Sequence, residues 1–371
     1  MKLNEVSVVL CGLLVGVSIA GLSGCGGSSD SSGDGYTLST TPPVAGATVT
    51  VASGSDPDVA VDGNGDLHFA YVRDGVVWYT KFDYASGAVL IPEVAIGGGD
   101  DPQIAVDSRN NPHVVFGNMF YAYWTGSGFS APVILACDKG RPRISVDSAD
   151  RVWIAGMRGA GDRDQLFMFE NNALAINGIT IGGNDLGSID IDSSGRVHVC
   201  WRSGRDLFYT SYLGGEDATG ISARSINISG SASDFSDLVV DNRDGSVHVT
   251  HTHSYGSSID YLYRDAAGNW SSDTLHAWDQ VTGASDVTQP TIACDRDGYK
   301  YIAFTGSGAI PRYFVIGRDG TEIVSSTTVD STTSGGKKQN PNVSSRPDMS
   351  GAYVTWGTGT VRVRALGSVS L

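Results

Sequence analysis

The sequence predicts an all-β fold, a seven-bladed β-propeller of four-stranded antiparallel blades, and three observations carry that prediction. An apolar segment ending in Asp, a short polar turn and a second apolar segment opening with His, Trp or Tyr recur along the chain. Pro102 to Asp107, Ser108 to Pro112 and His113 to Phe116 form the clearest copy. The strand-ending positions are Asp62, Asp107, Asp147, Asp192, Asp241, Asp295 and Arg346, so successive copies stand 45, 40, 45, 49, 54 and 51 residues apart, the period of a four-stranded propeller blade. A content of 49 Gly, 15 Tyr and 7 Trp in 371 residues suits many strands joined by tight turns.

Before the repeats, residues 1–24 read as an export signal, with Lys2, an uncharged apolar run from Val6 to Ala20 and then small residues. Leu22-Ser23-Gly24-Cys25 resembles the bacterial lipobox, and the resemblance implies cleavage before Cys25 and lipidation of its thiol. An uncleaved membrane anchor is the alternative, since Val6 to Gly24 approaches spanning length. Residues 25–45 form a tether, purely Gly, Ser and Asp from Gly26 to Gly35. Gly26 in place of Asp resembles lipoproteins sorted to the outer membrane. The expected setting is therefore the bacterial envelope, with the protein exported and lipid-anchored at Cys25. Cys137, Cys200 and Cys294 are odd in number and unpaired in spacing, and Cys200 and Cys294 sit inside apolar strands, so buried free thiols are favoured over a disulfide.

The propeller is expected over residues 46–371. Its second blade sets the pattern, with strands at 104–107, 113–116, 120–124 and 132–136. The last copy has room for three strands only, whereas Ala47 to Ala52 is a strand without a blade. That N-terminal strand is expected to join the last blade and close the ring, removing exposed edges. The repeated Asp and His invite a metal reading that geometry opposes: neighbouring blades are about 10 Å apart, whereas ligands lie about 2 Å from one ion. His68, His113, His198 and His248 stand in four different copies, so they and the Asp column are read as fold residues that brace the turns.

Function is sought where the copies differ. The ends of the second strands carry Tyr71, Phe116, Gly156, Trp201, His251, Phe304 and Trp356. Two residues further stand Arg73, Asn118, Arg158, Ser203, His253, Gly306 and Thr358, and the first strands begin at Asp56, Asp101, Arg141, Leu186, Phe235, Gln289 and Asn340. Asp58, Gln103, Arg143, Asp237 and Asn342 add polar groups between them. A varied polar rim backed by aromatics is what saccharides require. Arg141, Arg143, Arg158, Arg202, His251 and His253 form a cationic sector suited to an anionic ligand such as a uronic acid. The candidate ligand-binding residues are Arg73, Asn118, Arg141, Arg143, Arg158, Trp201, Arg202, His251 and His253. Asp190, in a column otherwise small or apolar, is expected to pair with one of these arginines. A net charge of −15 excludes a nucleic-acid partner. No motif asks for a cofactor, and the rim aspartates leave calcium open.

The Ile104-Ala105-Val106-Asp107 phrase with its turn and His113-Val114, together with Leu262 to Trp270, resembles the sialidase-like propeller superfamily of BNR-repeat proteins. The resemblance implies the fold; the sialidase Asp-box is absent, and Glu93, Glu170, Glu216 and Glu322 fall on or beside outer strands. Gly117-Asn118-Met119 resembles a segment of the propeller polysaccharide lyases that cleave ulvan-like uronates, with Phe120 where their His would stand. That resemblance implies His251 or His253 as base, Tyr255 as acid, and Arg158 with Arg202 offsetting the substrate carboxylate. Three functions are carried forward: a membrane-anchored glycan-binding propeller, a uronate polysaccharide lyase, and a protein-interaction scaffold in an envelope complex.

Overall fold

A computed structural model of the chain describes residues 45–135, 139–158, 163–183, 185–217, 221, 224–230, 232–253, 258–271, 288–331, 340–346 and 348–370. The signal segment, Cys25, the tether up to residue 44, Cys137 and Tyr255 lie outside the described residues, as does the side chain of Arg158. Seven antiparallel sheets make up the described residues. The first holds β2 (Ser55–Val61), β3 (Leu67–Arg73), β4 (Val76–Asp83) and β5 (Ala88–Gly98), and the second β6 (Gln103–Val106), β7 (Pro112–Phe116), β8 (Phe120–Tyr123) and β9 (Val133–Ile134). The third holds β10 (Lys139–Val146), β11 (Val152–Arg158), β12 (Arg163–Glu170) and β13 (Ala173–Gly182); the fourth, β14 (Asp185–Ile191), β15 (Arg196–Ser203), β16 (Asp206–Leu213) and β17 (Ile226–Ser229).

The fifth blade shows β18 (Ala232–Asp241), β19 (Ser246–His253) and β20 (Ile259–Arg264) among the described residues. The sixth holds β21 (Thr288–Cys294), β22 (Lys300–Gly306), β23 (Ile310–Ile316) and β24 (Glu322–Thr328). The seventh holds β25 (Asn342–Ser344), β26 (Ser350–Trp356) and β27 (Val361–Ser370), and its outermost strand is β1 (Ala45–Ala52), paired antiparallel with β27.

The core lies between blades rather than within them. Seven clusters of buried apolar side chains occupy the seven junctions: Trp153 and Leu166 meet Ile189 and Val199 between the third and fourth blades. Val59, Phe69 and Phe82 of the first blade meet Met349, Tyr353 and Val363 of the seventh. Each inner strand touches its neighbours in turn and β25 touches β2, which makes the array a closed ring.

The repeated Asp organises each turn as the sequence suggested. Asp62 Oδ1 accepts the N–H groups of Asn64 at 2.8 Å and Asp66 at 3.0 Å, and Oδ2 meets His68 Nε2 at 3.1 Å. The Tyr79 hydroxyl donates to His68 Nδ1 at 2.9 Å, and His113 with Tyr121, His198 with Tyr209 and His248 with Tyr261 repeat the contact. Burial alone would raise the Asp62 carboxyl, but the His68 and Lys81 bonds hold it well below the usual range. In the seventh copy Arg346 takes the place of the acid and binds Asp348 at 2.7 and 2.8 Å, keeping the charge pair with its signs exchanged.

Candidate functional site

Where the inner strands begin, the backbone bends in a way that ordinary strand residues avoid. Asp56, Asp101, Arg141, Gln289 and Asn340 have φ of 48°, 43°, 69°, 56° and 40°, each immediately before a proline. Left-handed geometry at a non-glycine residue costs on the order of 1–3 kcal/mol, less for Asp and Asn than for Arg or Gln. The pairing of β2, β10 and β21 with their neighbours slips at this point, the irregularity by which a bulge re-aims a side chain. Five blades thus carry the same strain, and all five strained residues line one cavity.

That cavity is the mouth of the axial channel, about 110 Å³ and open to solvent, lined also by Arg143, Phe235 and Asp237. Arg141, 40% exposed, lies with its guanidinium 4.6 Å from the Phe235 ring centre and Nη1 3.4 Å from Asp185 Oδ1. Asn340 Nδ2 donates to Asp56 Oδ1 at 2.7 Å. Carboxylates, amides and a guanidinium from different blades therefore surround one half-covered aromatic face.

Below the mouth, the column that the sequence offered as further ligand groups is engaged in holding blades together. Asp58 accepts Val59 N at 2.9 Å and, across the blade junction, Ile104 N at 2.7 Å. Asp237 accepts Leu238 N and Ile292 N in the same manner, and Thr291 Oγ1 accepts Val343 N. Arg143 Nε donates to Gly187 O at 2.9 Å. Inner strands of neighbouring blades share no backbone ladder, so side chains supply the bonds. Burial pushes the Asp58 carboxyl up to about 7 and also raises Asp237. Asp190 corrects an expectation: its partners are Val240 N at 2.8 Å, Ile191 N and Ser145 Oγ, not an arginine, and burial pushes it up to about 6.

The rim residues divide. Trp201 is 3% exposed, stacked on Phe208 with ring centres 5.7 Å apart and capped by Gly183, where a Cβ would fall 1.9 Å from the indole. Tyr71, Phe116, Phe304 and Trp356 are likewise buried. The aromatic column thus packs under loops and offers no face to a sugar, because the aromatics fill the ends of the inter-blade cores. Gly156, its odd member, leaves room for Met119, whose Sδ lies 2.1 Å from where a Cβ would be.

Arg202 is also engaged, donating through Nε and Nη2 to Asp185 Oδ2 at 3.1 and 2.5 Å. Arg73 binds Glu93 at 2.7 Å and covers Trp78. Glu93 also accepts from the Tyr71 hydroxyl, but Tyr71 is fully buried and burial raises its phenol pKa, the opposite of what a nucleophile needs. Asn118 is exposed and is not among the mouth residues. His251 is 0% exposed, which removes it from any ligand surface, whereas His253 is 40% exposed.

The structure thus brings Arg141 and Arg143 together at the mouth, whereas Arg73, Asn118, Trp201, Arg202, His251 and His253 do not line it. Asp56, Asp101, Phe235, Gln289 and Asn340 were visible as a column but gave no sign of converging; the repeated polar-residue-before-proline step was the available signal. Among the described residues, no group of three or more His, Cys, Asp or Glu is placed to hold a metal ion.

Fold and mouth together define a seven-bladed propeller with a charged polar cavity on its axis. No family model matches the chain, and no curated protein sequence matches it. Among solved structures, a lectin from Burkholderia pseudomallei, BP39L, superposes with a TM-score of 0.60 at 9% identity over 86% of this chain and 99% of its own. A fungal alcohol oxidase of the AA5 family, in complex with copper, gives 0.57 at 11% over 88% and 76%. The polysaccharide lyase Uly1 gives 0.51 at 12% over 85% and 90%. Identities this low establish a shared fold, which hosts unlike functions.

Proposed function

We propose that this chain is a carbohydrate-binding propeller that receives a saccharide at the mouth of its axial channel. The observation that carries the reading is the column of left-handed residues that turns Asp56, Asp101, Arg141, Gln289 and Asn340 into one cavity. Planar amides, carboxylates and guanidinium groups pair bidentately with vicinal hydroxyls and carboxylates, and Phe235 offers an apolar edge. A lectin and a polysaccharide lyase among the fold neighbours are compatible with this. The proposed setting is the bacterial outer membrane, with the propeller tethered through a lipid on Cys25; Cys25→Ala abolishing incorporation of a labelled fatty acid checks the anchor.

Calorimetric titration of the full-length chain with neutral and uronate-containing polysaccharides tests the binding. Saturable heat is expected, weakened at least tenfold by Arg141→Ala. Silence across the panel overturns the reading in favour of a protein partner. A second reading, a lyase that cleaves uronate polymers by elimination, is favoured by one observation: the exposed His253 has its Nδ1 2.6 Å from the buried carboxylate of Asp260.

A further inference from the structure

The hairpin of β19 and β20 gathers three titratable side chains at the end of the fifth blade. Strand alternation puts His251 and His253 on one face, and the register sets Asp260 opposite His251. Val247, Val249 and Leu262 pack in that blade's junction with Cys200, Leu207 and Tyr209 of the fourth, so the trio continues the line of the fourth–fifth junction.

Asp260 is 5% exposed, with Oδ2 2.6 Å from His253 Nδ1 and 3.7 Å from His251 Nε2. A carboxylate only accepts, so in the neutral ring Nδ1 of His253 carries the hydrogen and Nε2 keeps the lone pair. His251 is oriented differently: its Nδ1 donates to Thr252 O at 3.1 Å, and its buried Nε2 has no partner. Burial holds His251 toward the neutral form. One imidazole is sealed in; the other faces outward with a defined tautomer.

We propose that Asp260 is a positioning residue for proton transfer by His253, fixing the ring so that Nε2 is the nitrogen turned outward, to a uronate held beside the fifth blade and not in the mouth. This rests on the elimination reading given above. In that step Nε2 takes the proton from the carbon beside the uronate carboxylate. The C–H electron pair becomes the new carbon–carbon double bond, and the glycosidic oxygen departs with the electrons of its own bond. The imidazolium, stabilised by Asp260, returns the proton to that oxygen, so nothing is oxidised or reduced. Asp260 touches only the imidazole, as the orienting acid of a triad does.

The test pairs a spectrum with an assay on the full-length chain carrying ¹⁵N-histidine. Long-range ¹H–¹⁵N spectra should show the Nδ1–H tautomer of His253 in wild type and a shift toward Nε2–H in Asp260→Asn. Double-bond absorbance on a uronate polysaccharide should show kcat falling by about 10²-fold or more with KM little changed, and His253→Gln should remove the signal. An unchanged tautomer in the variant overturns the positioning role, and so does a flipped tautomer with unchanged kcat. Absence of product from wild type overturns the elimination reading, and with it any catalytic role for the pair.

Discussion

Asp58 shows what a single carboxylate does in this ring and what a linear pattern conceals. Its two backbone bonds need the anion's acceptors, while burial favours the neutral acid and pushes the group from 3.8 up to about 7. The folded state therefore holds a proton that the unfolded chain has released, and the stability this gives is present below about pH 4 and lost as pH rises toward 7. At 1.36 kcal/mol per unit, Asp58 alone accounts for on the order of 4 kcal/mol across that window. Asp190, raised to about 6, adds in the same sense. Asp62 and Asp241, held below the usual range, act oppositely and lose their contribution as pH falls below about 4. Thermal unfolding should thus be most resistant near pH 4–5, and its midpoint should fall toward pH 7.5. Asp58→Asn, which cannot titrate, should flatten that fall; equal slopes in the two proteins would refute the assignment. The Asp58 column was legible as polar but not as structural, because the partners that join blades are backbone N–H groups of the next copy, such as Ile104 N for Asp58 and Ile292 N for Asp237, and main-chain donors leave no trace in composition.

At the scale of the element, period-two alternation and turn residues made the strands readable: β7 and β8 fall within a residue of expectation, because each blade repeats the same local pattern. The loops between them were less readable, since their packing depends on the next blade. The aromatic column at the strand ends looked like a binding surface and is buried, and Gly156 leaves a gap in it. The gap is filled by Met119 from the second blade, itself at φ 66°. Gly156→Ala should cost about 1–3 kcal/mol by overpacking, read as a lower denaturation midpoint. Met119→Ala in the same chain should recover much of the loss, because the contact removed by one substitution is the clash created by the other. Additive losses in the double variant would show that Met119 does not occupy that space. The mouth was half legible on the same grounds: its residue types stood in an aligned column, but their convergence depends on left-handed backbone that no pattern of side chains announces.

For the whole molecule, stability resides in junctions, and a ring has one more junction than an open array of the same blades. The cluster joining the first and seventh blades draws on Val49, Val51 and Ala52 of β1 as well as on both blades. The Tyr84 hydroxyl of the first blade donates to Ala47 O at 2.5 Å, and Arg364 Nε of the seventh donates to Gly46 O at 2.7 Å. β1 therefore bonds to the last blade along β27 and to the first blade through Tyr84. Removing residues 45–52 would bare the edge of β27 and strip apolar cover from that junction alone, leaving six intact. Since each blade's hydrophobic faces are completed by its neighbours, weakening one junction should be felt as a single lowered transition rather than a separate early one. A chain beginning at Ser53 is expected to unfold at least several degrees lower and to associate through the bared strand edge. A peptide of residues 45–52 added in excess should restore the midpoint by mass action, the gain rising with its logarithmic concentration. Unfolding at the original temperature without the peptide would mean that the ring holds by the packing of its blades and that β1 is a passenger on the seventh.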